Sequence, residues 1–271
     1  MRLLTIASLA AAALVSAAPA SAVVTTFADF SNIGNAANVR WVISANNSGG
    51  NFSKNATFYS TATGTANIAG ARRVNFNFSQ PALAGVASGL QAMFTLNGTV
   101  TNTQAVVNGT VITQNNISGT FSFIQAVGSS FTVGGQTFGA GVNLLSGSFT
   151  QSSISGQRNG TSAGWSASTL GGSAITYTSD VLGFVPGSNY DLAWSLASVA
   201  PLLNATNAAN QITGTPNKAL RTFRAVVGGQ FSSDPAPITP AIPEPAIWAQ
   251  LIIGFSMVGF ASRRRKVSVA A

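Results

Sequence analysis

Hydrophobic and polar residues alternate along several stretches of the chain. In "YDLAWSL", Tyr190, Leu192, Trp194 and Leu196 share one parity, and Asp191, Ala193 and Ser195 share the other. In "RVNFNFS", Val74, Phe76 and Phe78 alternate with Arg73, Asn75 and Asn77, and Phe121 and Phe123 repeat the pattern in "GTFSFIQ". Successive side chains of a strand point to opposite faces, so this period of two predicts half-buried strands of an antiparallel sheet. An apolar stripe of this kind reads as core packing before it reads as a ligand groove.

Turn signals punctuate the pattern: Asn97-Gly98, Asn108-Gly109, Ser118-Gly119, Ser146-Gly147, Ser155-Gly156 and Asn159-Gly160. Such pairs tolerate positive φ and close hairpins. Their spacing, often near about ten residues, suits a sandwich or barrel. No fixed motif recurs around the glycines, which argues against a solenoid. Helix is expected only over Pro81–Ala87 and Val199–Asn210. The expectation is an all-β body, residues 23–233, built as a single antiparallel β-sandwich with jelly-roll-like connections.

Composition agrees. The 271 residues include no cysteine and no histidine; 46% are hydrophobic and 7% charged. That is too apolar for ordinary disorder and too poor in helix formers for a helical bundle.

The two ends follow different rules. Residues 1–22 read as a signal peptide: Arg2 gives a positive start, Leu3–Ala18 is apolar, and Ala20-Ser21-Ala22 is a small-residue cleavage site. Signal peptidase is expected to cut between Ala22 and Val23. Near the other end, residues 234–245 hold prolines at 235, 237, 240, 243 and 245, which exclude helix and favour an extended spacer. Residues 246–262 form an apolar segment. The fifteen residues of Ile247–Ala261, at 1.5 Å each, would span about 22 Å as a helix, against about 30 Å of hydrocarbon. Residues 263–271 begin with Arg263, Arg264, Arg265 and Lys266, cations that resist translocation and hold the tail in the cytoplasm.

These residues carry a resemblance. Pro243-Glu244-Pro245, then Trp248-Ala249, an apolar helix with Gly254 and Gly259, and the block Arg263–Arg265 resemble the PEP-CTERM sorting signal in its PEPxxWA variant. The resemblance covers only Pro243–Lys266. It implies a Gram-negative bacterium that makes exopolysaccharide, an inner-membrane precursor, and recognition by an exosortase, a membrane-embedded cysteine transpeptidase that removes the helix. By the same correspondence Pro243, Glu244 and Pro245 match the recognition motif, and Arg263–Arg265 the stop-transfer block. The extra "KVSVAA" departs from many such tails.

Charge changes the picture only when divided. Residues 23–245 hold eight cations and five anions, a net +3, with no dense basic face for nucleic acid. The lack of histidine and cysteine removes most nucleophile–base pairs and most zinc, copper and iron sites. A glycosidase dyad would have to come from Asp29, Asp180 or Asp191, and Asp180 and Asp191 read better as strand-end or turn aspartates. No acidic loop is dense enough for calcium. No catalytic, cofactor or metal residue is therefore expected. Lys218, Arg221 and Arg224 could line one short helix and touch an anionic polysaccharide, although solvated surface charge is the plainer reading. Arg72 and Arg73 point to opposite faces of a strand. The leading expectation is a non-enzymatic surface or matrix protein linked to exopolysaccharide or biofilm. The alternatives are a carbohydrate-binding module, displaying Trp41, Trp165 and Trp194 or using the 218–224 cations, and a glycan hydrolase.

Overall fold

The computed structural model describes residues 24–44, 54–62, 68–205 and 218–238. The expected signal peptide with Ala20, Ala22 and Val23, and the residues from 239 onward, lie outside the described residues. The strands are β1 (Thr25–Asn32), β2 (Val39–Ile43), β3 (Ala56–Ser60), β4 (Arg72–Phe78), β5 (Leu90–Val100), β6 (Val106–Asn108) and β7 (Val111–Gln125). There follow β8 (Phe131–Val133), β9 (Gln136–Phe138), β10 (Asn143–Gln157), β11 (Ala163–Ser168), β12 (Ile175–Thr178), β13 (Asn189–Ala200) and β14 (Phe223–Asp234). One helical turn, α1 (Pro81–Ala84), starts at the proline that the expected 81–87 helix began with and stops at Gly85.

The protein is all-β, and twelve of its strands form one antiparallel sheet. That sheet closes. The pairings run β1–β4–β5–β7–β10–β11–β13–β14 and back to β1, a ring of eight strands in chain order. Strands β2 and β3 sit below β1 and β4 in the same gap, because the two long strands β5 and β14 each pair twice along one edge: β5 with β4 and then β3, β14 with β1 and then β2. The result is an up-and-down barrel, which differs from the expected sandwich with jelly-roll connections. The distinction lies in the pairings β1–β14 and β5–β7, each joining residues far apart in sequence.

Alternation explains the wall. β4 buries Val74, Phe76 and Phe78, and β13 buries Leu192, Trp194 and Leu196, as the sequence pattern predicts; Tyr190 is half-buried. The inward side chains meet across the barrel: Phe94 on β5 lies 5.8 Å from Trp194 on β13, and Phe123 on β7 lies 5.6 Å from Phe231 on β14. Strands this long must bend to close. Register shifts mark β10 between Phe149 and Ile154 and β13 between Ala197 and Ala200, with Gln151, Asn116 and Ser198 at positive φ. Such bulges supply the corners of a barrel. Outward positions carry mainly Asn, Ser, Thr and Gln, the reverse of a membrane barrel's apolar outer band. No helix among the described residues is long and apolar enough to cross a membrane.

Two helical expectations are corrected. Val199 and Ala200 continue β13, where Ala200 pairs with Arg224, residues 201–205 are irregular, and residues 206–210 lie outside the described residues. Arg224 belongs to β14, and Lys218 and Arg221 precede it in irregular chain. Strand pairing with β13 and β2 overrides the weak local helix signal.

Candidate functional site

The barrel interior is filled. Trp41 and Trp165 are fully buried and Trp194 is 2% exposed. Trp41 Nε1 donates to Leu220 O at 2.8 Å. Trp165 Nε1 donates to Ser152 Oγ at 2.9 Å, and that hydroxyl donates on to Ile117 O at 2.9 Å. The rings of Trp165 and Trp194 meet edge to face at 4.4 Å. An aromatic platform for sugar rings would need these indoles outside, and they face inward.

An open groove of about 530 Å³ lies on the outer wall, crossing β10, β11, β13, β14 and β1. Its floor is smooth because the outward positions there are small: Gly164, Ser166, Ala193 and Ser195. Ser166, Ala193, Gln230 and Asp29 stand in register across four strands. Asp29 is held by Asn77 Nδ2 at 2.8 Å and Ser79 Oγ at 3.1 Å. Its partners occupy both carboxylate oxygens, which suits a fixed acceptor at the groove's edge. Sequence reading missed this groove because its small residues carry no chemistry until register aligns them.

Asp180 serves the backbone. Asp180 Oδ2 accepts Asn143 N at 2.8 Å, and Asp180 N donates to Asn143 O at 2.9 Å, a clasp at the start of β10. This is the turn role expected for it. Asp191 is the third residue of β13, at the strand end expected for it. Its carbonyl accepts the buried Tyr177 hydroxyl at 2.7 Å, while its Oδ1 is buried with no hydrogen-bond partner among the described residues. Burial, then the Asp191 carboxylate and Tyr190, push the Tyr177 phenol well above its ordinary pKa. Among the described residues no group of three His, Cys, Asp or Glu gathers as a metal site would require.

Six of the eight cations of residues 23–245 gather toward one end. In the ring, β1 begins and β14 ends at the same rim, here the terminal rim, together with the ends of β4, β7 and β11. The far rim holds Lys54 before β3, Arg158 after β10, and Lys218 and Arg221 before β14. Arg40 and Arg224 stand directly opposite each other on β2 and β14, close to that rim. Arg72 and Arg73 begin β4 halfway along the barrel, on opposite faces as expected: Arg72 Nη1 donates to Ala62 O at 3.3 Å and Arg73 Nη1 to Gln91 Oε1 at 3.0 Å. Lys218 is 3% exposed, and burial followed by neighbouring Arg221 lowers its pKa.

The chain also leaves at the terminal rim. Gly183 and Ile238 exchange hydrogen bonds at 2.7 and 2.9 Å, and Gln80 Nε2 donates to Pro237 O. The first residues of the proline-rich spacer are thus fastened to the barrel. Pro243, Glu244, Pro245, Trp248, Ala249, Gly254, Gly259 and Arg263–Arg265 lie outside the described residues. No family model matches the chain, and neither a curated protein nor a solved structure matches it.

Proposed function

We propose that the chain is an exported, non-enzymatic surface or extracellular-matrix protein of a Gram-negative bacterium, sorted by its tail and cleaved there by an exosortase. The observation that carries this reading is the order of the C-terminal residues: Pro243-Glu244-Pro245, Trp248-Ala249, a short apolar segment, then Arg263–Arg265. A span of about 22 Å is short for a permanent anchor. The basic block would stall export with Pro243–Pro245 at the outer face of the inner membrane, within reach of a membrane-embedded protease.

The body's geometry supports the same reading. The barrel hangs from one rim, with Thr25 paired to Ser233 and the spacer leaving beside Gly183. A filled interior and buried indoles favour a structural body over a carbohydrate-binding module with an aromatic platform. Asp180's clasp on the Asn143 backbone and Asp29's bonds to Asn77 and Ser79 disfavour a glycan hydrolase. Mass spectrometry of the mature protein from its native host tests the proposal. The expected result is a body that begins at Val23 and lacks everything from about Ile247 onward. Peptides spanning Trp248–Arg263 in the mature surface fraction of an exosortase-bearing host would replace it with a plain membrane anchor.

A further inference from the structure

We infer that the far rim of the barrel is a docking surface for an acidic, carboxylate-bearing polysaccharide, gripped by Arg40, Lys54, Arg158, Arg221 and Arg224. The first support is segregation of charge. All four described carboxylates, Asp29, Asp180, Asp191 and Asp234, lie in the half of the barrel next to the terminal rim. Six of the eight body cations lie at or beside the far rim, and the other two, Arg72 and Arg73, lie midway. A net charge of +3 spread evenly would be weak; separated this way it makes one end strongly cationic.

The second support is that like charges are held together. Arg40 and Arg224 face each other across adjacent strands, a juxtaposition that destabilises a bare sheet. Arg221 lies close enough to Lys218 to lower its pKa. An anion laid across the rim would offset both repulsions.

The third support is rigidity. Arg221 N donates to Asn204 O at 2.7 Å, and Asn204 Nδ2 donates to Asn159 Oδ1 at 3.1 Å, which ties Arg221 to the turn carrying Arg158. Leu220 N donates to Gln114 Oε1 at 3.0 Å, while Leu220 O accepts the Trp41 indole. Thr103 N donates to Lys54 O at 3.2 Å. The cations therefore stand on a framework already fixed before binding, which lowers the entropy lost on association.

The polymer's class follows from spacing and surface. Duplex DNA carries one charge per about 1.7 Å and binds to dense basic stripes, whereas here the cations come as the pairs Arg40–Arg224 and Lys218–Arg221 with Lys54 and Arg158 apart from them in the chain. Single strands need a row of exposed aromatic rings for stacking; all three body tryptophans are buried, and Tyr59, in register with Arg40, is half-buried. A uronic-acid chain has one carboxylate per sugar with hydroxyls between; guanidiniums bind carboxylates bidentately, and amides such as Asn159 beside Arg158 can meet the hydroxyls.

This inference takes the exported location from the function proposed above but not the cleavage of the tail. The test uses the full chain in a non-ionic detergent over immobilised polygalacturonate, with neutral dextran and duplex DNA in parallel. Binding to polygalacturonate is expected at low salt and should fall steadily as salt rises. Arg221→Gln with Arg224→Gln should weaken it about tenfold and flatten the salt dependence. Arg72→Gln with Arg73→Gln removes the same charge away from the rim and should change binding less than about twofold. Circular dichroism checks that each variant keeps its fold. Equal losses in the two double variants, retention on dextran or DNA as strong as on polygalacturonate, or no retention at low salt would each overturn the inference. Failure of tail processing would leave these measurements unchanged and show only in the mass spectra.

Discussion

Gly98 on β5 and Gly119 on β7 stand opposite each other in register, with no room for a side chain between the strands. A Cβ on Gly119 would lie 2.1 Å from Asn97 O and 2.7 Å from Gly98 Cα. The neighbour is backbone, which cannot swing away as a flexible side chain would. Gly119→Ala should destabilise the barrel by about 3 kcal/mol or more. Gly139→Ala, where a Cβ would meet nothing within 4 Å, should stay within about 0.5 kcal/mol. Denaturant midpoints of the two variants decide this, and equal midpoints would contradict the close approach.

That pair also shows where the sequence was legible. The period-two stripes at Val74–Phe78, Phe121–Phe123 and Leu192–Leu196 reported their strands and buried faces correctly, since burial of alternate residues is a local property. The turns at Asn108-Gly109 and Asn159-Gly160 are real, with Gly109 and Asn159 at positive φ. Gly98, Gly119, Gly147 and Gly156 lie inside strands instead. They serve close packing: a Cβ on Gly147 would press to 2.4 Å from Thr176 O. A Ser-Gly or Asn-Gly pair looks the same in either role, because only the partner strand distinguishes them. Barrel closure, the outer groove and the Arg40–Arg224 pairing were equally hidden, since each depends on which distant strands become neighbours.

Burial of the tryptophans gives an optical test. In a Trp248→Phe background, emission comes only from Trp41, Trp165 and Trp194, all 2% exposed or less. Iodide, being charged and hydrated, should quench them very little in the native state and strongly after unfolding. Native quenching close to that of the unfolded chain would mean an open wall and would revive an aromatic binding platform.

The tail should respond residue by residue. Glu244→Ala or Pro245→Ala should leave an uncleaved inner-membrane form, because the extended acidic turn is what a protease would hold. Replacing Arg263, Arg264 and Arg265 by alanine should weaken retention and make processing leaky. Fractionation with an antibody against the body reads both. Normal maturation of the Glu244→Ala chain would remove the recognition role assigned to Pro243–Pro245.

The last prediction concerns alkaline pH and rests on Tyr177. Its hydroxyl donates to Asp191 O at 2.7 Å beneath the edge of β13, and the residue is 6% exposed. Burial is the main reason its pKa is raised, with the Asp191 carboxylate and Tyr190 adding to it. In the unfolded chain the phenol ionises near about pH 10. A raised folded value means that the unfolded state loses its proton first. The stabilisation is therefore complete below about pH 10 and drains away as pH rises from there toward the folded value. Lys218 works in the opposite sense, because its folded pKa is lowered and its buried charge is relieved as pH rises toward 10.5. Tyr177→Phe removes one hydrogen bond, at a cost of about 1 kcal/mol near neutral pH, and should also flatten the alkaline fall. Thermal unfolding followed from about pH 8 to about pH 11 separates the two effects. Wild type should lose melting temperature faster than the variant over the upper part of that range, so the two curves converge. Parallel curves would show that Tyr177 ionises as easily in the barrel as outside it.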